Sequence, residues 1–288
     1  MIQDIYPKIF NNEYKEQQPE TNSRVFFFSR NKVLAAFTGH EIRIPFYHEI
    51  EQGGIAGMHF IYLFAIDETA FFLADTQNEW DIAPFQYEKI SIFRSAGPKD
   101  LAFAGLTAYQ LYNVYQNNRF CGRCGSLLER DHKERMLYCS SCRNKVYPQI
   151  APAVIVGVTN GDRILMTKYA GREYTRYALI AGFTEIGETV EETVKREVME
   201  ETGLKVKNIT YYKSQPWAID SNILLGFFAE LDGDDTIILD KAELATAEWI
   251  SRSEIMEEDD DFSLTREMII KFKNGDLTEK PNLIVWNV

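Results

Sequence analysis

A stretch of 23 residues at positions 182–204, GFTEIGETVEETVKREVMEETGL, constrains the fold of this chain more than any other part of it. It reads as a tight glycine loop running into a helix. At ~100° per residue, Val190, Val194 and Val198 form one apolar stripe that must face a core. Glu197 lies seven positions after Val190, and Glu201 seven after Val194, so both fall on that inward side, with Glu200 at its edge. Glu191, Glu192, Lys195 and Arg196 take the outer side. Ionised carboxylates turned toward a protein body are costly unless they are paired or bound to a metal. A merely solvated acidic face does not have this geometry. Gly203 ends the helix as its C-terminal cap.

The second constraint is the cysteines. All four fall within CGRCGSLLERDHKERMLYCSSC, as Cys121 and Cys124 in one CxxC and Cys139 and Cys142 in another. Two such knuckles facing each other supply the four thiolates of a tetrahedral zinc site. Gly122 and Gly125 ease the turn of the first knuckle. A pair of disulfides is the alternative, which a chain without a secretion signal rarely keeps. A site with four protein ligands has no open position, so this Zn²⁺ is expected to be structural.

At 288 residues the chain has room for more than one domain. The formal net charge of −12 opposes general adhesion to nucleic acid or an anionic membrane. The acidic run Glu257–Asp261 reads as a solvated loop. The longest apolar run, Ile55–Ile66, is too short to span a membrane, and MIQDIYPKIF lacks the series of features of a signal peptide. The expectation is a cytoplasmic protein with no membrane partner.

Along the chain, RVFFF and VLAAF flank Ser29–Lys32 as one hairpin, and FIYLFAI and AFFLA flank Asp67–Thr69 as another. Residues 99–118 have helical spacing, with Leu101, Ala104, Ala108, Leu111 and Tyr115 on one side. AVIVGVT and RILMTKY flank Asn160-Gly161-Asp162, a hairpin turn. YALIAGF is a further strand, followed by strands at Ile209–Lys213, Ile223–Glu230, Thr236–Leu239 and Glu248–Ile250. Ser263 caps a last helix ending near Gly275. The expected organisation is a β-rich domain with a connecting helix at 1–118, a zinc ribbon at 119–148 and a domain carrying the glutamate helix at 149–288.

Counted out, the opening stretch is Gly182, five residues, Glu188, seven residues, Arg196-Glu197-Val198, one residue, Glu200-Glu201, one residue, Gly203-Leu204. It resembles the Nudix box at every fixed position. The resemblance implies an α/β (α+β) fold, an α/β/α sandwich with a mixed sheet, and an enzyme that cleaves a nucleoside diphosphate linked to another moiety by attack of water. Glu197, Glu200 and Glu201 would be the main ligands of Mg²⁺ or Mn²⁺, which suits oxygen donors at i, i+3 and i+4. One of them, or a hydroxide they position, would be the general base. Gly182 and Gly187 allow the tight loop, and Glu188 is its matching acidic position. Arg196 is expected to orient carboxylates by charge-assisted hydrogen bonds.

The ribbon just upstream, YPQIAP at 147–152 and SQPW at 214–217 resemble the NADH pyrophosphatase branch of that family, closely over residues 100–250. That implies a homodimer that cleaves NAD(H), a dinucleotide, to NMN(H) and AMP, with some members also removing NAD caps from RNA. It also implies nicotinamide stacking on Phe183 and on Tyr147 across the dimer, a further metal ligand at Glu243, and substrate contacts from Gln215, Trp217 and Asn222. After SQPW, however, the chain continues Ala218-Ile219-Asp220-Ser221-Asn222 where the branch has Pro-Phe-Pro, any residue, Ser. The alternatives are therefore ADP-ribose or a dinucleoside polyphosphate as substrate, or a nucleotide sensor without catalysis. Between Arg119 and Pro148 seven basic residues face three acidic ones, a net of +4. RNA, if it is a substrate, would be guided by Arg130, Lys133 and Arg135.

Overall fold

Both expected hairpins of the N-terminal region form. Phe28–Ser29 pairs with Lys32–Thr38, and Phe60–Ile66 pairs with Thr69–Ala74 across a turn closed by Ile66 and Thr69. Arg30 and Asp67 take the left-handed backbone conformation these tight turns require, at φ 54° and 49°. The computed structural model describes residues 1–51, 57–76, 78–171, 176–256 and 262–275, so the acidic run at 257–261 lies outside the described residues.

The chain divides into two compact units, Ile2–Gln149 with Ala218–Ser221, and Met1 with Ile150–Trp217 and Asn222–Val288. In the first, one sheet joins Phe10–Asn11, Phe60–Ile66, Thr69–Ala74 and Arg24–Phe26, and a second joins Phe28–Ser29, Lys32–Thr38, Glu41–Arg43 and Gln86–Lys89. Val25, Phe27, Leu34 and Phe72 are fully buried between their strands. The helix Lys99–Asn117 buries Leu101, Ala104, Ala108 and Leu111, the side its spacing marks. The ribbon, with short strands at Glu129–Arg130, Leu137–Tyr138 and Lys145–Val146, belongs to this same unit.

The second unit is a sheet covered on both faces. Its strands are β1 (Ala151–Asn160), β2 (Arg163–Tyr169), β3 (Ile180–Phe183), β4 (Val206–Trp217), β5 (Asn222–Leu231) and β6 (Leu244–Ser251); its helices are α1 (Val190–Thr202) and α2 (Leu264–Lys273). The order is β4-β5-β1-β2-β6, with β3 on β1, and β1 and β5 run parallel from Ala151↔Asn222 to Thr159↔Glu230. The sheet is mixed, as expected. Because β1 is covered on both sides it is a continuous apolar run and not an alternation. Val154, Val156 and Val158 join Val194 and Val198 of α1 in one core, while Ala153 and Ile155 join Leu264, Met268 and Phe272 of α2 in the other. Two helices on opposite faces make the α/β/α sandwich.

The β-branched run at Thr236–Leu239 predicts a strand. The segment is irregular instead. Ile238 N–H donates to the Thr202 carbonyl (2.8 Å) and Asp240 N–H to that of Glu201 (3.0 Å), so these amides close the end of α1 and are not available to a sheet.

Candidate active site

Strand β3 delivers Gly182 and Phe183 to the start of a loop, and the loop enters α1 through a capping box. Thr189 Oγ1 accepts from Glu192 N–H at 3.2 Å, and Glu192 Oε2 accepts from Thr189 N–H at 2.8 Å. At the other end Gly203 takes φ 70° and its N–H meets the Met199 carbonyl. The helix is thus fixed at both ends before its carboxylates are considered.

Glu197 and Glu201 are 8% and 3% exposed, buried as the helical wheel requires. Glu200 is not: its side chain is 58% exposed, so two of the three carboxylates face inward and the third lies at the rim. Gly182 leaves the space that Glu197 occupies, since a Cβ there would stand 2.0 Å from the carboxylate carbon. Arg196 sits on the outer side of the wheel, yet its long side chain turns back over the cluster. Its Nε donates to Glu188 Oε1 (2.6 Å) and Nη2 to Glu188 Oε2 (2.9 Å); Nη1 donates to Glu197 (2.7 Å) and Glu200 (3.0 Å). Nη2 also holds the Phe183 carbonyl at 2.9 Å. One guanidinium therefore fastens loop to helix.

Charges follow from this arrangement. Arg196, with the Glu185 N–H, holds the Glu188 carboxyl down at about 2. Burial pushes Glu197 upward, Arg196 opposes that, and the charges of Glu200 and Glu243 add to the rise. Glu243 is exposed on the segment beyond α1. Glu197 is seated against Gly182, while among the described residues no three of these carboxylates converge within 4.8 Å as the four cysteines do; oxygen donors of this kind suit a hard divalent cation that would draw them together.

The remaining sequence candidates fall in different surroundings. Phe183 is 51% exposed beside the cluster. Tyr147, in the N-terminal unit, is 45% exposed and donates to Glu134 at 2.8 Å. Trp217 packs edge-on to Phe262, and Asn222, its cross-strand partner, is buried. Gln215 was expected to touch substrate. It is fully buried, and its amide donates to the Phe262 carbonyl (2.9 Å) and accepts from Leu264 N–H (2.7 Å), so its polar ends join β4 to the start of α2. Two of the three basic residues assigned to RNA are likewise engaged. Arg135 donates to the carbonyls of Leu63 (2.5 Å) and Asn12 (3.4 Å), and Arg130 pairs with Asp75 at 3.3 Å.

In the ribbon the four Sγ atoms lie within 4.8 Å of one another, with Cys121 3.6 Å from Cys142 and Cys124 3.5 Å from Cys139. Tetrahedral zinc with bonds of ~2.3 Å sets sulfurs about 3.8 Å apart, so the set fits Zn²⁺. The Ser126 hydroxyl and N–H hold the Cys124 thiol down at about 6, favouring the thiolate. No described helix is long and apolar enough to cross a membrane.

Strand, glycine loop and arginine-braced glutamate helix on a doubly covered mixed sheet define a Nudix domain, and residues 149–272 match the NUDIX domain family. Directly upstream, residues 116–147 match the NADH pyrophosphatase zinc ribbon domain. The chain is 44% identical over 141 residues to the NAD-capped RNA hydrolase NudC of Klebsiella pneumoniae (strain 342), covering 49% of this chain and 54% of that protein. It is 43% identical over 154 residues to the protein of that name from Enterobacter sp. (strain 638), covering 54% and 58%. The match thus spans little more than half the length of these relatives. Among solved structures, a NUDIX hydrolase from Nitrosomonas europaea aligns with 57% of this chain and 94% of its own at 22% identity, with a TM-score of 0.49.

Proposed function

We propose that this protein hydrolyses the diphosphate bond of NAD(H), giving NMN(H) and AMP, and removes NAD caps from RNA by the same cleavage. One observation carries the reading: a braced carboxylate helix and a ribbon of the NADH pyrophosphatase kind occur on one chain. The names of the two relatives support the RNA arm.

Glu197, Glu200, Glu201 and Glu243 would hold Mg²⁺ or Mn²⁺, which when bound neutralises diphosphate charge and eases ionisation of water. Arg196 keeps Glu188 and Glu197 in place. One of Glu197, Glu200 and Glu201, or a hydroxide they position, would take the proton from the attacking water. Phe183 stacks the nicotinamide, with Tyr147 of the partner subunit completing the stack in a homodimer. Trp217 and Asn222 shape the substrate side, with Gln215 supporting them from behind. The ribbon at 119–148 is a structural module between the β-rich segment 1–118 and the catalytic segment 149–288. Four thiols kept for zinc suit the reducing cytoplasm.

The test is product analysis with Mg²⁺ or Mn²⁺, offering NAD, NADH, ADP-ribose and diadenosine polyphosphate in parallel, with Glu201→Gln as control. AMP plus NMN(H), lost in the variant, is the expected outcome. The Ala218–Ser221 turn, which lacks the prolines of the branch, favours a second reading, in which ADP-ribose or the dinucleoside polyphosphate is cleaved in preference. Turnover of none of these overturns both.

A further inference from the structure

We infer that Asp240 is a positioning residue for the metal site proposed above, because it ties the last turn of α1 to the turn that carries Glu243. The inference rests on that metal reading and extends it to a residue outside the box.

The physical problem is repulsion. Glu243 lies exposed on an irregular segment outside the helix that carries the other proposed carboxylate ligands. A carboxylate on a loose segment would swing away from like charges before a cation arrived. Asp240 opposes that movement through four hydrogen bonds. Its N–H donates to the carbonyl of Glu201, itself one of the proposed ligands, at 3.0 Å. Its Oδ1 accepts from Ala242 N–H at 2.8 Å, and its carbonyl accepts from Glu243 N–H (3.3 Å) and Leu244 N–H (2.9 Å). Ile238 N–H on the Thr202 carbonyl (2.8 Å) ties the same segment to the helix end, and Asp240 carries the connection from Glu201 on to Glu243. The Glu243 carbonyl is fixed in turn by Ala170 N–H at 2.8 Å. Upstream, Asp235 anchors the segment to the sheet: Arg163 Nη2 meets its carboxylate at 2.8 Å, and Trp249 Nε1 donates to its carbonyl at 3.0 Å. The segment is thus a strap held at both ends, with Glu243 just past the second fastening.

The side chain of Asp240 supplies one separable bond, so it can be tested alone. Mn²⁺ binding to the purified full chain is measured by electron paramagnetic resonance, without substrate. Asp240→Ala should weaken binding roughly tenfold, the range for residues that hold a ligand in place. Asp240→Asn, which keeps an acceptor oxygen, should stay within about twofold. Adding Asp240→Ala to Glu243→Gln should cost little more than Glu243→Gln alone, since both act through one ligand. Should the alanine variant not fold, Asp240→Ser stands in and must fall between wild type and Glu243→Gln. Wild-type affinity in Asp240→Ala, or full additivity with Glu243→Gln, overturns the inference while leaving the metal site intact. Wild-type Mn²⁺ binding that Glu197→Gln does not change overturns the metal site itself, and this inference with it.

Discussion

Arg196 and Glu188 face each other as a two-point fork, Nε to Oε1 at 2.6 Å and Nη2 to Oε2 at 2.9 Å, across the junction between loop and helix. The same guanidinium reaches Glu197, Glu200 and the Phe183 carbonyl. A planar five-donor group can serve all of these at once, and an ammonium cannot. Arg196→Lys should therefore keep the fold and lower turnover by roughly 10–100-fold. Steady-state rates beside circular dichroism check this; a fully active lysine variant would show that the fork does not orient the carboxylates.

The fork also fixes a pH dependence. Glu188 moves from an ordinary 4.5 to about 2 because Arg196 stabilises its charged form. A carboxyl with a depressed folded value adds stability that is complete above its unfolded value and is lost as the pH falls. The contribution should disappear between pH 4.5 and about 2. Acid unfolding of the metal-free wild type should be steeper in that window than that of Glu188→Gln. Equal slopes would mean that the pair does not form in solution.

Gly182 and Gly187 make a matched comparison. A methyl group at Gly182 meets the Glu197 carboxylate, whereas at Gly187, with φ 95°, it meets nothing within 4 Å. Gly182→Ala should cost ~1–3 kcal/mol from overpacking and displace Glu197, weakening Mn²⁺ binding. Gly187→Ala should cost ~1–2 kcal/mol from backbone strain and leave the cradle in place. Denaturant melts and metal titrations on the two variants separate the effects.

What the sequence reveals of this site depends on whether an interaction is local and periodic. The burial of Glu197 and Glu201 is legible because helix period alone turns both inward with Val194 and Val198. The reach of Arg196 is not visible in a wheel, which places Cβ atoms and ignores a side chain long enough to fold back. Thr236–Leu239 has the composition of a strand. Its neighbour across space is the open end of α1, whose carbonyls take the amides of Ile238 and Asp240. The burial of Gln215 depends on Phe262 and Leu264, 47 and 49 positions away, and no local pattern marks that bond.

The ribbon carries a substitution test of its own, because its two knuckles are built alike. Gly125 N–H meets the Cys121 carbonyl and Arg143 N–H the Cys139 carbonyl, both at 2.8 Å, and each residue directly follows the second cysteine of its pair. Both take the left-handed conformation, Gly125 at φ 76° and Arg143 at φ 61°. Glycine adopts it without strain, whereas a side chain there costs ~1–2 kcal/mol, partly offset by the greater freedom glycine loses on folding. Arg143→Gly should therefore hold Zn²⁺ at least as firmly as wild type against a competing chelator. Gly125→Ala should release it more readily, and Cys139→Ala should lose it. Weaker zinc retention in Arg143→Gly would mean that the arginine side chain, and not the backbone it strains, supports the second knuckle.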